Sequence, residues 1–488
     1  MDRSHTIIRG LAWLVAVQLW SWSLRLLETT VVPRILQDKG YGMVSYAGTF
    51  LSFVALLVMF GGSEHIVRSV AADPERGARI ATAMLAARAT LLLPILIATY
   101  CVCRFLLHTE PAVLHLLPIF ILSVFLGQIY DVLLAWRQGH SQFGAIARTQ
   151  MVAQSVGLPT SIALVAAGYG RPGYAWGQVV NVTTSLITLW AQKHNPIRFA
   201  RLAWADFVRM FREGLPFFRY RLFLWCYGDA TSVLYISWIA GYAATGWYNL
   251  AMKLVGVLFV VPDTIVQAVM PVLTDAYERA QEEYEKLAPR FVNLTLVLAI
   301  PFAILLILRA DTLLTVLRYP ASFHHAALLM QLIGFGLWLR WSSVCFGALL
   351  IISNRAHNRA NAATLAAPYN LLSTPLFIVL CHRYLQNGAL GAVIAAETTE
   401  LIIVGVYLQN FRGTGLVRSC LGATGRALVA GLVPLCMLQL PMRTLPEFLL
   451  VGGLAVLLYL PAAVLTGALP RADLALLRRI AQSKTRAS

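Results

Sequence analysis

The amino-acid sequence predicts an all-α polytopic membrane protein with about fourteen transmembrane helices of roughly 20 apolar residues each. Three observations predict it: an apolar composition, a train of helix-length hydrophobic runs, and a lopsided placement of basic residues between those runs. Of the 488 residues, 58% are hydrophobic and only 12% are charged. A soluble domain carries roughly 25% charged residues, and a soluble fold of this composition could not cover its apolar surface. Net charge is +17. The basic residues lie between apolar runs and form no basic domain, so the charge points to no nucleic acid.

The runs lie at 8–30, 43–62, 80–107, 113–136, 146–168, 173–192, 214–239, 246–271, 291–309, 326–352, 361–381, 388–409, 426–440 and 447–469. The first follows Arg3 and Arg9 and continues past Ala12 to Leu27 without a small-x-small cleavage pattern. It reads as a retained span, not a signal peptide. The thirteenth is short and interrupted by Pro434. With fourteen spans, both termini share one side of the membrane. That side holds 25 of the 39 Lys and Arg residues, the opposite side holds eight, and six fall within spans. The positive-inside rule therefore places both termini in the cytoplasm, which makes the expected location the cytoplasmic (inner) membrane.

Two stretches between spans are long and polar. Residues 193–213 interleave Lys193, Arg198, Arg201, Arg209 and Arg212 with Phe199, Trp204, Phe207 and Phe211. They read as a basic amphipathic linker lying on the anionic inner leaflet. Residues 273–288 are acidic and read as a solvated helix extension. The chain also repeats. Gly42-Met43-Val44-Ser45-Tyr46-Ala47 opens span two and Gly246-Trp247-Tyr248-Asn249-Leu250-Ala251 opens span eight, an offset of 204. Thr183-Thr184-Ser185-Leu186-Ile187 answers Thr398-Thr399-Glu400-Leu401-Ile402 at an offset of 215. The expected organisation is a six-helix lobe at 1–192, the linker at 193–213, a second six-helix lobe at 214–410, two further helices at 411–470 and a basic tail at 471–488. Internal repeats of this kind mark transporters, with the site at the repeat interface.

Several segments carry a family resemblance. Val32-Pro33-Arg34-Ile35-Leu36 is followed by Gly40-Tyr41-Gly42, then by Gly61-Gly62-Ser63-Glu64 and Arg68. Ala244-Thr245-Gly246-Trp247-Tyr248-Asn249-Leu250-Ala251-Met252-Lys253 leads to Pro262, Ile265, Met270-Pro271-Val272-Leu273, Pro301 and Asn387-Gly388-Ala389-Leu390-Gly391-Ala392. The pattern resembles the polysaccharide transporter branch (O-antigen and exopolysaccharide flippases) of the multidrug/oligosaccharidyl-lipid/polysaccharide exporter superfamily. The resemblance covers most of residues 7–410. It implies two pseudo-symmetric lobes around a cavity, alternating access, and a polyprenyl-diphosphate-linked oligosaccharide as cargo. It also implies a final helix pair packed outside the core, which in related lipid II flippases forms a groove for the lipid tail. Membrane lipids, and the polysaccharide polymerase and glycosyltransferases of the same pathway, are the implied partners. The chain departs from the pattern at Gln37-Asp38-Lys39 and in placing Glu28 near Arg25.

Such cargo sets a physical problem. A diphosphate must cross about 30 Å of hydrocarbon, so the protein must replace its hydration with positive charge. Arginine suits this because its planar fork pairs with phosphate oxygens. Arg25, Arg88, Arg219, Arg221, Lys253 and Arg340 lie inside expected spans. Each would cost roughly 2.5–3.5 kcal/mol facing lipid at the bilayer centre. The resemblance puts the cavity at spans one, seven and eight, so Arg25, Arg219, Arg221 and Lys253 are the phosphate-contact candidates. Arg219 and Arg221 are two residues apart and so point in different directions; snorkelling to the surface is the ordinary alternative for them.

The acids inside spans are Glu28, Asp131, Asp229, Asp263, Glu397 and Glu400, and pairing with the cations is their ordinary role. Glu28 and Asp229 are the candidates for ion coupling, since a carboxylate that is intermittently paired can take a proton or Na⁺. Trp22 and Trp225 are candidates for stacking on sugar rings, against the commoner role of interfacial anchoring. No G-x-x-x-x-G-K-[ST] loop and no H-E-x-x-H motif occurs, and the seven cysteines are scattered, so no cofactor, metal site or catalytic residue is expected. Two other functions compete: a cation-coupled multidrug exporter of the same superfamily and a membrane-embedded glycan ligase or glycosyltransferase. The near balance of cations and acids in the central spans weighs against the first. The short loops on the non-cytoplasmic side weigh against the second.

Overall fold

The computed structural model describes residues 3–58, 62–106, 108–140, 142–192, 203–208, 210–213, 215, 218, 229–279, 281–353 and 416–470. The described residues are all-α, with no strand. Nine helical stretches among them are long and apolar enough to cross a membrane. Two of these, Trp20–Leu57 and Gly144–Trp190, each contain two of the expected spans. The spans expected at 361–381 and 388–409, and half of 214–239, lie outside the described residues. The chain forms two compact units, Met1–Gly246 and Trp247–Ser488.

In the first unit, α1 runs from Arg3 to Val58, passes through Pro33 and breaks only at Gln37, whose φ of 60° is left-handed. The apolar runs 8–30 and 43–62 leave residues 31–42 as their connection. Within it a single residue makes the corner between two helices. Beside it the Asp38 carboxylate accepts from the Lys39 amide at 2.8 Å, and the Lys39 ammonium pairs with Glu110 at 3.1 Å. Gly42 and Gly246 make the tightest backbone approach of this unit. A Cβ on Gly42 would fall 1.7 Å from the Tyr242 carbonyl oxygen, and one on Gly246 would fall 2.2 Å from the Asp38 carbonyl oxygen. Glycine is required at both because any side chain would displace backbone.

α2 (Gly62–Ala72) and α3 (Pro74–Ala87) meet at Asp73, which caps α3 by accepting from the Glu75 amide, with Pro74 in the first turn. A π-helical turn, Arg88–Leu92, joins α3 to α4 (Leu93–Phe105). The short α5 (Pro111–Leu114) leads into α6 (Leu117–Gly139). α7 (Phe143–Leu164) and α8 (Gly170–Trp190) turn on Gly168 and Gly170, whose φ angles are 93° and 57°. These two helices pack closely because small residues face each other: Gly157 lies on Asn181 and Gly177 on Ser161. The core joins Met43, Ala47 and Leu51 of α1 to Leu92, Leu96, Phe120 and Ala175.

Residues 204–208 and 210–213 are helical, as the linker's amphipathic pattern predicts. Met210 is buried against Ile66, Val70, Ala81, Met84 and Trp136, and Glu213 pairs with Arg76 at 2.6 Å. Trp204, Val208, Phe211 and Leu215 remain exposed in a row along the opposite side. α9 (Asp229–Ile239) then leads to α10 (Gly241–Arg279), inside which the boundary between units falls.

The second unit is built on the rest of α10, on α11 (Gln281–Val316) and on α12 (His325–Ser353). Asp275, Glu278, Glu282, Glu283 and Glu285 are exposed on the adjoining ends of α10 and α11, in keeping with the helix extension read from the sequence. Three shorter helices follow: α13 (Leu416–Ala430), α14 (Leu432–Met437) and α15 (Leu445–Leu465). The thirteenth expected span is therefore a broken one that starts ten residues earlier and divides at Gly431, with Pro434 in the first turn of α14. Side-chain hydrogen bonds tie these helices to the others: Tyr459 donates to the Val297 carbonyl at 2.8 Å, Asn293 to Ser419 at 2.8 Å and Trp338 to Thr424 at 3.0 Å. Thr444 and Glu447 form a reciprocal cap at the start of α15.

Candidate functional site

In the first unit, Arg25 and Glu28 are three residues apart on α1 but have different surroundings. Glu28 is 7% exposed and accepts from the Gln178 amide of α8 at 3.4 Å. Arg25 is exposed and forms no ion pair or hydrogen bond among the described residues. The two therefore do not make the local pair that their spacing allows, because packing against α8 takes Glu28 inward. Trp22 is half-buried, and its neighbour Trp20 donates to the Ser155 hydroxyl of α7 at 2.8 Å.

A different pair does form. Arg88 is 1% exposed, at the start of the π-helical turn. Its guanidinium donates to the Gln128 carbonyl at 2.8 Å and meets the Asp131 carboxylate at 3.3 Å. These two intramembrane charges satisfy each other, which makes them structural groups. Arg219, Arg221 and Trp225 lie outside the described residues. Asp229 opens α9, and only its backbone is described.

In the second unit, Lys253 sits at the middle of the apolar span Gly241–Val266 and is exposed. Helical periodicity places Asn249, Lys253, Gly256 and Asp263 on one face of α10. Gly256 on that face looks onto open space, and Asp263 is exposed. Phe259 flanks the same face, and the Arg340 guanidinium of α12 lies 3.9 Å over its ring. Toward the start of both helices, the rings of Trp247 and His325 meet at a tilt, 4.3 Å between centroids. α10 and α12 thus meet twice through side chains, and between the contacts α10 presents an ammonium and a bare backbone. The sequence places Arg340 among the intramembrane charges and gives no sign of Phe259 as its partner, because the two lie on different helices. No group of His, Cys, Asp or Glu fit to hold a metal occurs among the described residues.

Helices of this length and composition define a polytopic membrane protein. A sequence profile of the polysaccharide biosynthesis protein family matches residues 31–345, and the chain belongs to that family. No curated protein matches it in sequence. Among solved structures it is similar to the lipid II flippase MurJ in an inward closed conformation, with a TM-score of 0.71 and 14% identity over 94% of this chain and 99% of that one. It is also similar to an inward-facing multidrug resistance MATE family transporter of the MOP superfamily, with a TM-score of 0.63 and 14% identity over 81% of this chain and 94% of that one. A third similar structure, with a TM-score of 0.55 and 16% identity over 85% of this chain and 97% of that one, is a MOP superfamily transporter from Pyrococcus furiosus. This chain shares the fold of these three structures.

Proposed function

We propose that this chain is a flippase that moves a polyprenyl-diphosphate-linked oligosaccharide across the cytoplasmic membrane by alternating access, for surface polysaccharide synthesis. The observation that carries the reading is Lys253, an exposed ammonium at mid-span beside an open glycine. An ammonium facing hydrocarbon there would cost roughly 2.5–3.5 kcal/mol. Facing an anionic headgroup, the same charge replaces hydration that the phosphates lose. Arg25, exposed on α1, offers a cation in the first unit. The prenyl tail stays in lipid, and the termini lie in the cytoplasm. The exposed row of Trp204, Val208, Phe211 and Leu215 lies in the inner leaflet. The pathway's polymerase and glycosyltransferases would consume and supply the cargo.

The test is a proteoliposome assay. A fluorescent polyprenyl-diphosphate oligosaccharide is placed in one leaflet, and its exposure to a membrane-impermeant glycosidase is followed over time. Wild type should move the lipid, Lys253→Ala should slow movement at least tenfold, and Lys253→Arg should retain much of it. No movement by folded wild type, with or without a pH or Na⁺ gradient, would sink the reading. One observation favours the multidrug-exporter alternative: Asp263 is an exposed carboxylate on the same face of α10 and could attract a cationic drug. Uptake of a fluorescent organic cation by the same proteoliposomes, with no lipid movement, would establish that alternative instead.

A further inference from the structure

On the inner-leaflet placement of the exposed row, we propose that the linker's helical residues, 204–208 and 210–213, carry a site for one acidic phospholipid. Its acyl chain lies along the row and its phosphate meets Arg212. The two faces of this helix do different things. One face belongs to the protein. Met210 is 1% exposed, packed among Ile66, Val70, Ala81, Met84 and Trp136. Three residues on, the Glu213 carboxylate meets the Arg76 guanidinium at 2.6 Å and the buried His65 ring at 3.7 Å. Asp206, seven residues before Glu213 and so on the same side, accepts from the Ala203 amide at 2.9 Å. Both acids of the helix therefore face away from the apolar row.

The other face is open. Trp204, Phe207, Val208, Phe211 and Leu215 line a shallow apolar groove that Arg212 borders. Arg212 is exposed and makes no ion pair or hydrogen bond among the described residues. On a regular helix Arg212 stands about 80° around the axis from Trp204, and Phe207 stands about 60° to the other side. The row is thus flanked by a charge on one side and an aromatic ring on the other. A helix flanked in this way rests at the membrane boundary, with the charge at headgroup depth and the ring deeper.

Charge selects the occupant. The apolar row alone would accept any acyl chain. A guanidinium at headgroup depth adds a fork for phosphate oxygens. With Asp206 and Glu213 turned to the protein, no acid of the helix offsets that fork. A zwitterionic headgroup brings its own cation to the phosphate and gains little from a second one. An acidic headgroup brings none, so the arginine favours it.

The experiment places the full chain in phosphatidylcholine nanodiscs with a small fixed fraction of a lipid brominated on its acyl chains, either phosphatidylglycerol or phosphatidylcholine. Bromine quenches tryptophan on contact, and the Trp204 share of the signal is the difference between wild type and Trp204→Phe. Brominated phosphatidylglycerol should quench Trp204 as though bound about fivefold more tightly than brominated phosphatidylcholine, the scale of one basic residue at an anionic leaflet. The preference should disappear in Arg212→Gln and persist in Arg212→Lys, while Val208→Ser should weaken quenching by both lipids alike. Equal quenching by the two lipids in wild type would leave a bulk apolar contact and overturn the proposal, as would a preference that survives Arg212→Gln. No quenching of Trp204 by either lipid would take the helix out of the leaflet and overturn both the site and its placement. Farnesyl diphosphate is the competing arm. Relief of quenching at mole fractions where unbrominated phosphatidylglycerol gives none would assign the groove to a prenyl tail and overturn its assignment to a phospholipid. No step of this readout involves transport, so its failure leaves the flippase reading standing. A chain that holds the lipid but flips nothing loses the flippase reading alone.

Discussion

Arg88 shows what a membrane-buried charge needs. It is held by the Asp131 carboxylate and by the Gln128 carbonyl, and it is almost fully enclosed. Removing one partner of a buried pair strands the other, at a cost of about 3–5 kcal/mol. Asp131→Asn should therefore lower the thermal unfolding midpoint of the detergent-purified protein markedly. Replacing both residues with apolar ones, Arg88→Met with Asp131→Leu, should restore most of the loss. A normal midpoint in Asp131→Asn alone would mean that the carboxylate does not hold the guanidinium. The contrast with Lys253 is the useful one, since that cation is at mid-span yet exposed, and its substitution should cost transport before stability. At this scale the balance of charges is legible in the sequence, but the pairing is not. Arg88 and Asp131 are 43 residues apart, and the local spacing of Arg25 and Glu28 pointed to a pair that packing against Gln178 prevents.

The elements were legible where hydrophobicity decides them and less so where a few backbone angles do. The apolar runs for α3 with α4, α6, α7, α8, α11, α12 and α15 lie where the sequence puts them. The apolar runs leave a dozen residues for the corner of α1, because Gln37-Asp38-Lys39 is polar and Pro33 precedes it. One left-handed residue suffices, since Asp38 bonds the next amide and Lys39 reaches Glu110. The break of α13 and α14 at Gly431 was visible only as the nearby Pro434. The corner also yields a prediction. A methyl group on Gly42 would overlap the Tyr242 carbonyl, so Gly42→Ala should destabilise the protein by about 1–3 kcal/mol. Gly246→Ala should do the same through the Asp38 carbonyl. Thermal unfolding in detergent checks both, with Gly127→Ala, where a Cβ meets nothing within 4 Å, as the control. Equal midpoints for all three would show that the backbone approach is not tight.

For the molecule as a whole, composition was enough to place the chain in a membrane, because 12% charged residues cannot solvate an apolar chain of this length. The segment that carried the family resemblance most specifically, Ala244 to Lys253, falls within the matched residues 31–345. What stayed illegible is the grouping that depends on three dimensions, above all the approach of Arg340 to Phe259. The uneven placement of Lys and Arg makes a prediction about orientation. Green fluorescent protein fused after Ser488 should fluoresce in cells, and alkaline phosphatase fused there should be inactive, as a cytoplasmic C-terminus requires. An active phosphatase would reverse the whole topology.

The two glycines also follow the repeat. Gly42 meets residue 242 and Gly246 meets residue 38; adding the repeat offset of 204 to 42 and subtracting it from 242 turns the first contact into the second. The contact is therefore reciprocal, in the way that an isologous patch meets its own copy across a two-fold axis.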